Sequence, residues 1–368
     1  MLAFAIFLFI AAVFLQRWSL ERALAGIDVN LECSKTLVEP DEDFEFVTNL
    51  SNRSSRFIPF LKIGVMLPKM SKVAHARATV KKDVHNFLWH NSTTWMSPRS
   101  KLERRLSMSL PARGRYLFRG ALVTGGDFLG LDGISKRFFD FNEVVVFPKE
   151  VDPGEVSNML GGFVGDLSVR RFIMEDPVLT VGAREYTGRE PLKQISWNHS
   201  ARTGKLMAKQ FDYTVEPLVS VLLDINTNNT ETGGERLQET CFSLTRSVCE
   251  YFERRRIPYD FISNATTASA VSGWAYMAEG LGKKHLLAIL EGLGRASYMP
   301  TEPFGATVAK LTQTQLKDRS AIIIMPERDE AKRMLAMQNK SAGRTIHFIY
   351  GEDYVDEIYG GIETNIRD

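Results

Sequence analysis

The stretch LVSVLLDIN (218–226) decides how the second half of the chain should fold. Its first six residues are leucine and valine apart from one serine, so a strand here would be apolar on both faces. Such a strand is typical of a parallel sheet that is covered by helices. The stretch then reaches Asp224 and Asn226, at the strand end where open α/β sheets bind ligands.

Strands and helices alternate after this stretch. Residues 234–255 place apolar side chains at spacings of three and four, which predicts a helix. The same kind of pattern predicts strands at 259–264, 321–325 and 345–351, and helices at 282–293 and 328–337. This alternation predicts a largely parallel sheet with helices on both sides.

The first half of the chain has a different texture. Between residues 27 and 148, short runs that alternate apolar and polar residues are separated by Gly, Pro and Asn. Such runs predict antiparallel strands, and together they predict a β-sandwich over residues 19–149. Residues 150–180 are less regular and predict a connector, with Gly161-Gly162 and Asp176-Pro177 as breakers. The α/β domain is then expected over residues 181–368.

The chain begins with MLAFAIFLFIAAVFLQRW (1–18), which is apolar from residue 1 to residue 15. As a helix, residues 1–18 would reach about 27 Å, slightly less than the ~30 Å hydrocarbon core of a bilayer. We predict a transmembrane anchor here, and a signal peptide or a buried core helix is the alternative. Because Arg17 and Arg22 follow the segment, we expect a single-pass cell-membrane protein with the bulk of the chain in the cytoplasm.

Charge and cysteine content exclude several classes of function. The 46 basic and 44 acidic side chains give a net charge of +2, so no nucleic-acid partner is expected. Cys33, Cys241 and Cys249 show no CxxC spacing, which argues against a disulfide framework and a zinc site. The chain also has no phosphate-binding loop and no GxSxG elbow. We therefore predict no catalytic residue and no cofactor other than a metal ion.

Asp224, Asn226 and Asn228 are the candidate metal ligands. They place side-chain oxygens at alternate positions after the strand, and hard cations such as Mg²⁺ and Ca²⁺ take oxygen ligands. The alternative is that these side chains cap neighbouring loop and helix N–H groups. The run is similar to the Asp-x-Ser-x-Ser metal-adhesion motif of von Willebrand factor A domains, with asparagine in place of both serines.

A second stretch, GREPLKQISWNHSARTGKLMAKQFDYT (188–214), concentrates aromatic and basic residues. Trp197 is large enough to fill a domain junction, and Arg202 can bind a carboxylate or an aromatic face. Residues 205–211 alternate and predict a strand that enters the sheet. A structural brace, a partner-facing surface and a catalytic site all remain open. The candidate residues are Tyr186, Trp197, Ser200, Arg202, Lys205 and Lys209.

This second stretch resembles the signature of the bacterial family called domain of unknown function 58. The matching residues are Arg184-Glu185-Tyr186, Pro191-Leu192-Lys193, Ile195, Trp197, Ser200 to Gly204, Leu206, Lys209 and Phe211, with upstream matches at Arg113 to Tyr116, Thr124 and Asp127 to Leu131. Arg189-Glu190 and Ser196 depart from the usual pattern. The resemblance implies the fold class α/β plus all-β: an N-terminal membrane helix, an antiparallel β-sandwich and a von Willebrand factor A-like (Rossmann-like) domain.

The resemblance also implies partners. Members of the family are commonly associated with MoxR-type AAA+ ATPases and with transglutaminase-like membrane proteins. We therefore predict a membrane-anchored, non-enzymatic interaction or assembly protein whose A-like domain docks such a partner. The alternatives are a divalent-cation-dependent adhesion or binding module centred on Asp224, and an unrecognised hydrolase.

Overall fold

The computed structural model describes most of the chain in eleven segments. They are residues 24–74, 80–82, 87–126, 132–171, 180–188, 190–211, 219–228, 232–268, 274–313, 320–338 and 345–359. By its internal contacts the chain divides into two compact units. The first comprises residues 1–149 with 293–295, and the second comprises residues 150–292 with 296–368.

The first unit is built from β-strands. They are β1 (Ile27–Cys33), β2 (Leu37–Val38), β3 (Phe44–Asn52), β4 (Ile58–Pro68), β5 (Lys72–Val73), β6 (Val80–Lys82), β7 (Phe87–Met96), β8 (Lys101–Ser109), β9 (Gly114–Phe118), β10 (Ala121–Gly126), β11 (Gly133–Phe138) and β12 (Asn142–Val146). Over the described residues they form sheets of order β1-β3-β8-β5, β11-β10-β4-β7-β6 and β2-β12-β9. All strand pairs except β2–β12 are antiparallel.

Alternation along the strands builds one core for these sheets. Every second residue of β3 is buried, as expected for a strand with one face toward the core. Phe46 of β3 stacks on Phe118 of β9, with ring centroids 5.0 Å apart. Tyr116, in an element of the family resemblance, donates its hydroxyl to the Ala112 carbonyl at 2.9 Å and so fixes the chain where it enters β9. The other upstream element, 127–131, lies outside the described residues.

The second unit mixes strands and helices. In chain order they are α1 (Pro153–Arg171), β13 (Thr180–Glu185), α2 (Trp197–Thr203), β14 (Met207–Phe211), β15 (Val219–Leu223), α3 (Thr232–Arg255), β16 (Tyr259–Ser263), β17 (Ala265–Thr267), β18 (Tyr276–Gly280), α4 (Lys283–Arg295), β19 (Ala296–Pro300), α5 (Phe304–Gln313), β20 (Ser320–Met325), α6 (Glu330–Gln338), β21 (Ile346–Tyr350) and α7 (Val355–Tyr359).

The apolar stretch that follows residue 217 supplies the central strand of this unit. The sheet has the order β18-β16-β15-β20-β21. β15, β16, β20 and β21 run parallel, and β18 is an antiparallel edge strand. Every residue of β15, β16 and β20 is buried, and α3 packs on β15 and β20. The position of β15 therefore follows from its apolar sequence.

The predicted fold class is wrong as a description of the chain. Over the described residues the structure is mostly β, with 42% of them in strands and 31% in helices. The sequence did not reveal the antiparallel ribbons β13–β14 and β17–β19. Residues 205–211 do contain a strand, β14, but it pairs with β13 in a separate ribbon instead of entering the main sheet. The predicted connector, 150–180, contains the 19-residue helix α1.

The membrane helix and the single-pass localisation are also corrected. The predicted anchor, 1–18, lies outside the described residues. Within the described residues, no helix is both long enough and apolar enough to cross a bilayer. α3 has the length, with 24 residues, but its sequence is interrupted by charged side chains, each of which would cost about 2.5–3.5 kcal/mol at the centre of a bilayer.

Candidate functional site

Asp224 lies directly after β15, at the carboxyl end of the central strand, and is fully buried. Its backbone N–H donates to the Ile324 carbonyl of β20 at 2.9 Å. This bond extends the parallel pairing of β15 with β20 by one residue. The main sheet therefore fixes the place where the carboxylate stands.

Each oxygen of the Asp224 carboxylate has its own donors. Oδ1 accepts from Asn264 Nδ2 at 2.6 Å, from Asn226 Nδ2 at 2.9 Å and from Asn226 N at 3.1 Å. Oδ2 accepts from Lys332 Nζ at 2.8 Å, and the same ammonium donates to the Asn226 carbonyl at 2.7 Å. A buried carboxylate needs a compensating charge and hydrogen bonds, and this arrangement supplies both. We call Asp224, Asn226, Asn264 and Lys332 the strand-end cluster.

Two members of the strand-end cluster were missed by sequence reasoning. Asn264 follows β16, the parallel neighbour of β15, and its Oδ1 accepts from Ile225 N at 3.0 Å. A polar residue directly after a second buried strand was a signal that could have found it. Lys332 lies in the first turn of α6, 108 positions from Asp224. No local pattern marks it.

The three predicted metal ligands do not converge on one point. Asn226 directs its amide nitrogen at Asp224, because a carboxylate only accepts hydrogen bonds. Asn228 is exposed, and its backbone N–H donates to Glu327 Oε1 at 2.6 Å. In the part of the chain that the structure describes, no group of three His, Cys, Asp or Glu side chains could hold a metal ion. The ion site predicted at Asp224 stays a prediction, and this geometry lends it no support.

The other candidate residues lie on the segment that joins β13 to β14, except Lys209, which lies within β14. Helix α2 is fixed against β14 through Ser200, whose hydroxyl donates to the Ser196 carbonyl at 2.9 Å and accepts from Met207 N at 2.8 Å. Gly204 ends the helix in the left-handed conformation, with φ of 69°, which glycine adopts without steric cost. Ser200 therefore acts as a brace within the segment.

Glu190, where the sequence departs from the family pattern, closes the turn after β13. Tyr186 donates its hydroxyl to the Glu190 carbonyl at 3.3 Å. The Glu190 carboxylate accepts from Thr187 Oγ1 at 2.9 Å and pairs with Arg184 at 2.6 Å. Burial raises the pKa of Glu190, but the hydrogen bonds from Thr187 and Arg184 outweigh it and lower the pKa to about 2. Tyr186 and Glu190 thus hold the turn together.

Trp197 does not fill a buried junction. Its side chain is 65% exposed, and those of Leu192 and Leu206 are 73% and 49% exposed. Arg202 and Lys209 are also exposed. We call Leu192, Trp197, Arg202, Leu206 and Lys209 the ribbon surface.

Lys205 lies beside this surface and is paired. Its ammonium contacts Glu185 at 2.7 Å, and the pair raises the pKa of Lys205 and lowers the pKa of Glu185. Both side chains are about 70% exposed, so solvent screens the interaction. The pair therefore neutralises one end of the segment without stabilising it much.

Ser196 and His199 form a serine–histidine contact in the same segment, with Oγ and Nδ1 3.1 Å apart. Ser196 precedes the first residue of α2, and His199 is the third residue of that helix. The contact therefore joins neighbouring residues of one helix terminus. Among the described residues, no carboxylate orients His199, and a catalytic triad requires such a group.

No protein-family model and no curated protein matches this chain. Several solved structures are similar to about a third of it. They include the CARDB domain of PF1109 from Pyrococcus furiosus (14% identity, 33% of this chain and 93% of that chain, TM-score 0.21), the ASH/PapD-like domain of human CEP192 (14%, 34% and 87%, TM-score 0.20) and a cohesin module of a family 33 glycoside hydrolase from Clostridium perfringens (12%, 33% and 96%, TM-score 0.23). At these TM-scores the likeness carries no inference about this chain.

The von Willebrand factor A-like assignment of residues 181–368 is corrected. The described residues of the chain are mostly β, and the range 181–368 contains the antiparallel ribbons β13–β14 and β17–β19. The Asp-x-Asn-x-Asn run, which carried the similarity to the metal-adhesion motif, does not form a set of converging oxygens. Asparagine is longer than serine, and Asn226 here donates its amide to Asp224 itself.

Proposed function

We propose that this chain is a non-enzymatic interaction or assembly protein that docks a partner through the ribbon surface. The observation that carries the proposal is the 65% exposure of Trp197 on a helix whose backbone is fixed through Ser200. Tryptophan and arginine are the residues that most often dominate binding energy at interfaces. A rigid, exposed tryptophan also loses little conformational entropy when a partner covers it.

The chemistry of the ribbon surface indicates the kind of partner. Leu192, Trp197 and Leu206 are apolar and exposed, and Arg202 and Lys209 add positive charge. Neither cation has a carboxylate partner within the described residues. A complementary surface would carry an apolar groove with acidic residues at its rim.

The family resemblance supplies the first partner to test, a MoxR-type AAA+ ATPase. Binding of the purified full chain to the purified ATPase is measured by calorimetry. We expect Trp197→Ala to weaken binding by at least about 30-fold, the effect of losing an interface residue worth about 2 kcal/mol. Arg202→Ala should weaken binding and make it less sensitive to salt.

Trp95→Ala is the matched control, since Trp95 is 61% exposed in the first unit. This variant should bind the ATPase as the unchanged chain does. Equal binding by Trp197→Ala and the unchanged chain would contradict the proposal, and so would equal losses in the two tryptophan variants. A transglutaminase-like membrane protein, the second partner that the resemblance implies, is measured in parallel, and binding to it alone would exclude the ATPase.

The two alternative functions have no comparable support. The cation-dependent module centred on Asp224 lacks converging oxygens, since Asn226 faces the carboxylate with its amide nitrogen. A hydrolase would have to use the exposed Ser196–His199 contact without an orienting carboxylate in the described chain. Both stay predictions from the sequence.

A further inference from the structure

The positive charge in the strand-end cluster is the ammonium group of Lys332, which pairs with the Asp224 carboxylate. We infer that the Lys332 ammonium takes the place of a divalent cation at Asp224, and that removing this ammonium turns the cluster into a divalent-cation site. The inference goes beyond the proposed function, because the strand-end cluster and the ribbon surface share no residue.

The geometry around the ammonium carries the inference. Lys332 Nζ lies 2.8 Å from Asp224 Oδ2 and 2.7 Å from the Asn226 carbonyl oxygen. A Mg²⁺ or Ca²⁺ ion bound to the same two oxygens would need distances of about 2.0–2.6 Å. Ammonium and ion would then occupy nearly the same place, and two cations at contact distance repel each other strongly in a buried setting.

The second carboxylate oxygen has no room for an ion either. Asp224 Oδ1 already accepts three hydrogen bonds, two from Asn226 and one from Asn264. These donors also fix the rotation of the carboxylate, so Oδ2 is the oxygen that faces Lys332. Ion and amide donors would compete for Oδ1, whereas the ammonium fits the arrangement as it stands.

The position of Lys332 on its helix also requires an explanation. Asp329 caps α6, because its Oδ1 accepts from Ala331 N at 2.9 Å and from Lys332 N at 3.1 Å. A lysine in the first turn of a helix is disfavoured by the helix dipole. Side chains of a helix point back toward its N-terminus, however, and this direction leads Lys332 to Asp224. The buried carboxylate, which is 0% exposed, therefore accounts for the unfavourable placement.

Lys332→Met tests the inference, because methionine keeps most of the length of the side chain and removes its charge. The melting temperature and Mn²⁺ binding of the full chain are measured by circular dichroism and by calorimetry. Without the ammonium, the buried carboxylate is uncompensated, and we expect the melting temperature to fall by roughly 10 °C. Millimolar Mn²⁺ should reverse much of this fall, with a dissociation constant of about 10⁻⁴–10⁻³ M, as for weak oxygen-ligand sites.

Two further proteins make the test specific. Lys205→Met is the control, since Lys205 pairs with Glu185 at 2.7 Å and neither residue bonds to the strand-end cluster. We expect no Mn²⁺ binding to the unchanged chain or to this control. The double variant Asp224→Asn with Lys332→Met removes both charges, so it should melt at a higher temperature than Lys332→Met and should not respond to Mn²⁺.

Several results would overturn the inference. Binding of Mn²⁺ to the unchanged chain that Asp224→Asn abolishes would mean that ammonium and ion coexist. An unchanged melting temperature in Lys332→Met would mean that the ammonium compensates nothing, and absence of Mn²⁺ binding to that variant would mean that no cation site is uncovered. If Lys332→Met does not fold alone, Mn²⁺ must restore its folded circular dichroism signal, and failure to do so rejects the inference.

Discussion

The strand-end cluster and the ribbon surface belong to the same unit, but their side chains differ in exposure to solvent. In the cluster, Asp224 and Asn264 are fully buried, and their side-chain polar atoms form hydrogen bonds with other groups of the protein. On the ribbon surface, Trp197 and Leu192 are mostly exposed, although the backbone beneath them is fixed. A buried polar cluster contributes to stability, whereas a rigid exposed apolar surface is available for binding. Substitutions should therefore separate the two regions by what they change.

Apart from Lys332→Met, the largest effect on stability is expected from Asn264→Ala in the strand-end cluster. The change removes the donor to Asp224 Oδ1 and the acceptor of the Ile225 N–H. Because both partners stay buried, we expect a loss of about 3 kcal/mol in the free energy of unfolding. Urea denaturation of the full chain measures it.

Asn30→Ala is the control for that experiment. Asn30 is exposed in β1, and its side chain bonds only to the neighbouring Glu32 among the contacts described. We expect a change within about 0.5 kcal/mol. Similar small losses in the Asn30 and Asn264 variants would show that burial of the strand-end cluster does not stabilise the unit.

The strand-end cluster also shows which parts of the fold local sequence can predict. β15 was predictable because its five residues are all buried and four of them are apolar, which suits both faces of a central strand. Asp224 was predictable as a strand-end residue for the same reason. Its partner Lys332 was not, because 108 residues separate the two and only the folded sheet brings α6 to the end of β15.

Helix α1 was missed for a different reason. Gly161 and Gly162 predict a break, because each glycine inside a helix costs about 1 kcal/mol relative to alanine. Val156, Leu160 and Phe163 are nevertheless buried, at spacings of four and three. Packing of this face against α3 outweighs the low propensity of the glycines. The exposure of Trp197 was missed likewise, because residue type alone does not tell a junction from a surface.

An intermediate effect is expected from pH, through His285 of α4. Burial lowers the pKa of His285, and the nearby Glu253 carboxylate and a Tyr259 backbone hydrogen bond offset this only in part. Within the described chain, its Nε2 is buried without a hydrogen-bond partner. Because the folded pKa lies below the unfolded value of about 6.5, the folded state resists protonation. Stability should be complete above pH 6.5 and should fall as the pH drops toward the folded pKa.

The His285 prediction is checked by urea denaturation at several pH values and by nuclear magnetic resonance titration of the ring. His285→Gln should reduce the pH dependence of stability below about pH 6.5. The matched control is His199→Gln, since His199 is exposed on α2. A measured His285 pKa at or above 6.5 would contradict the prediction.

The smallest effect on stability is expected from Trp197→Ala. The side chain is 65% exposed, so its removal should change the free energy of unfolding by no more than about 0.5 kcal/mol. The same substitution should weaken partner binding by at least about 30-fold. A large loss of stability would instead make Trp197 a structural brace, and the ribbon surface would then resemble the strand-end cluster. Urea denaturation beside the binding measurement decides between these roles, because a binding residue and a brace predict opposite pairs of results.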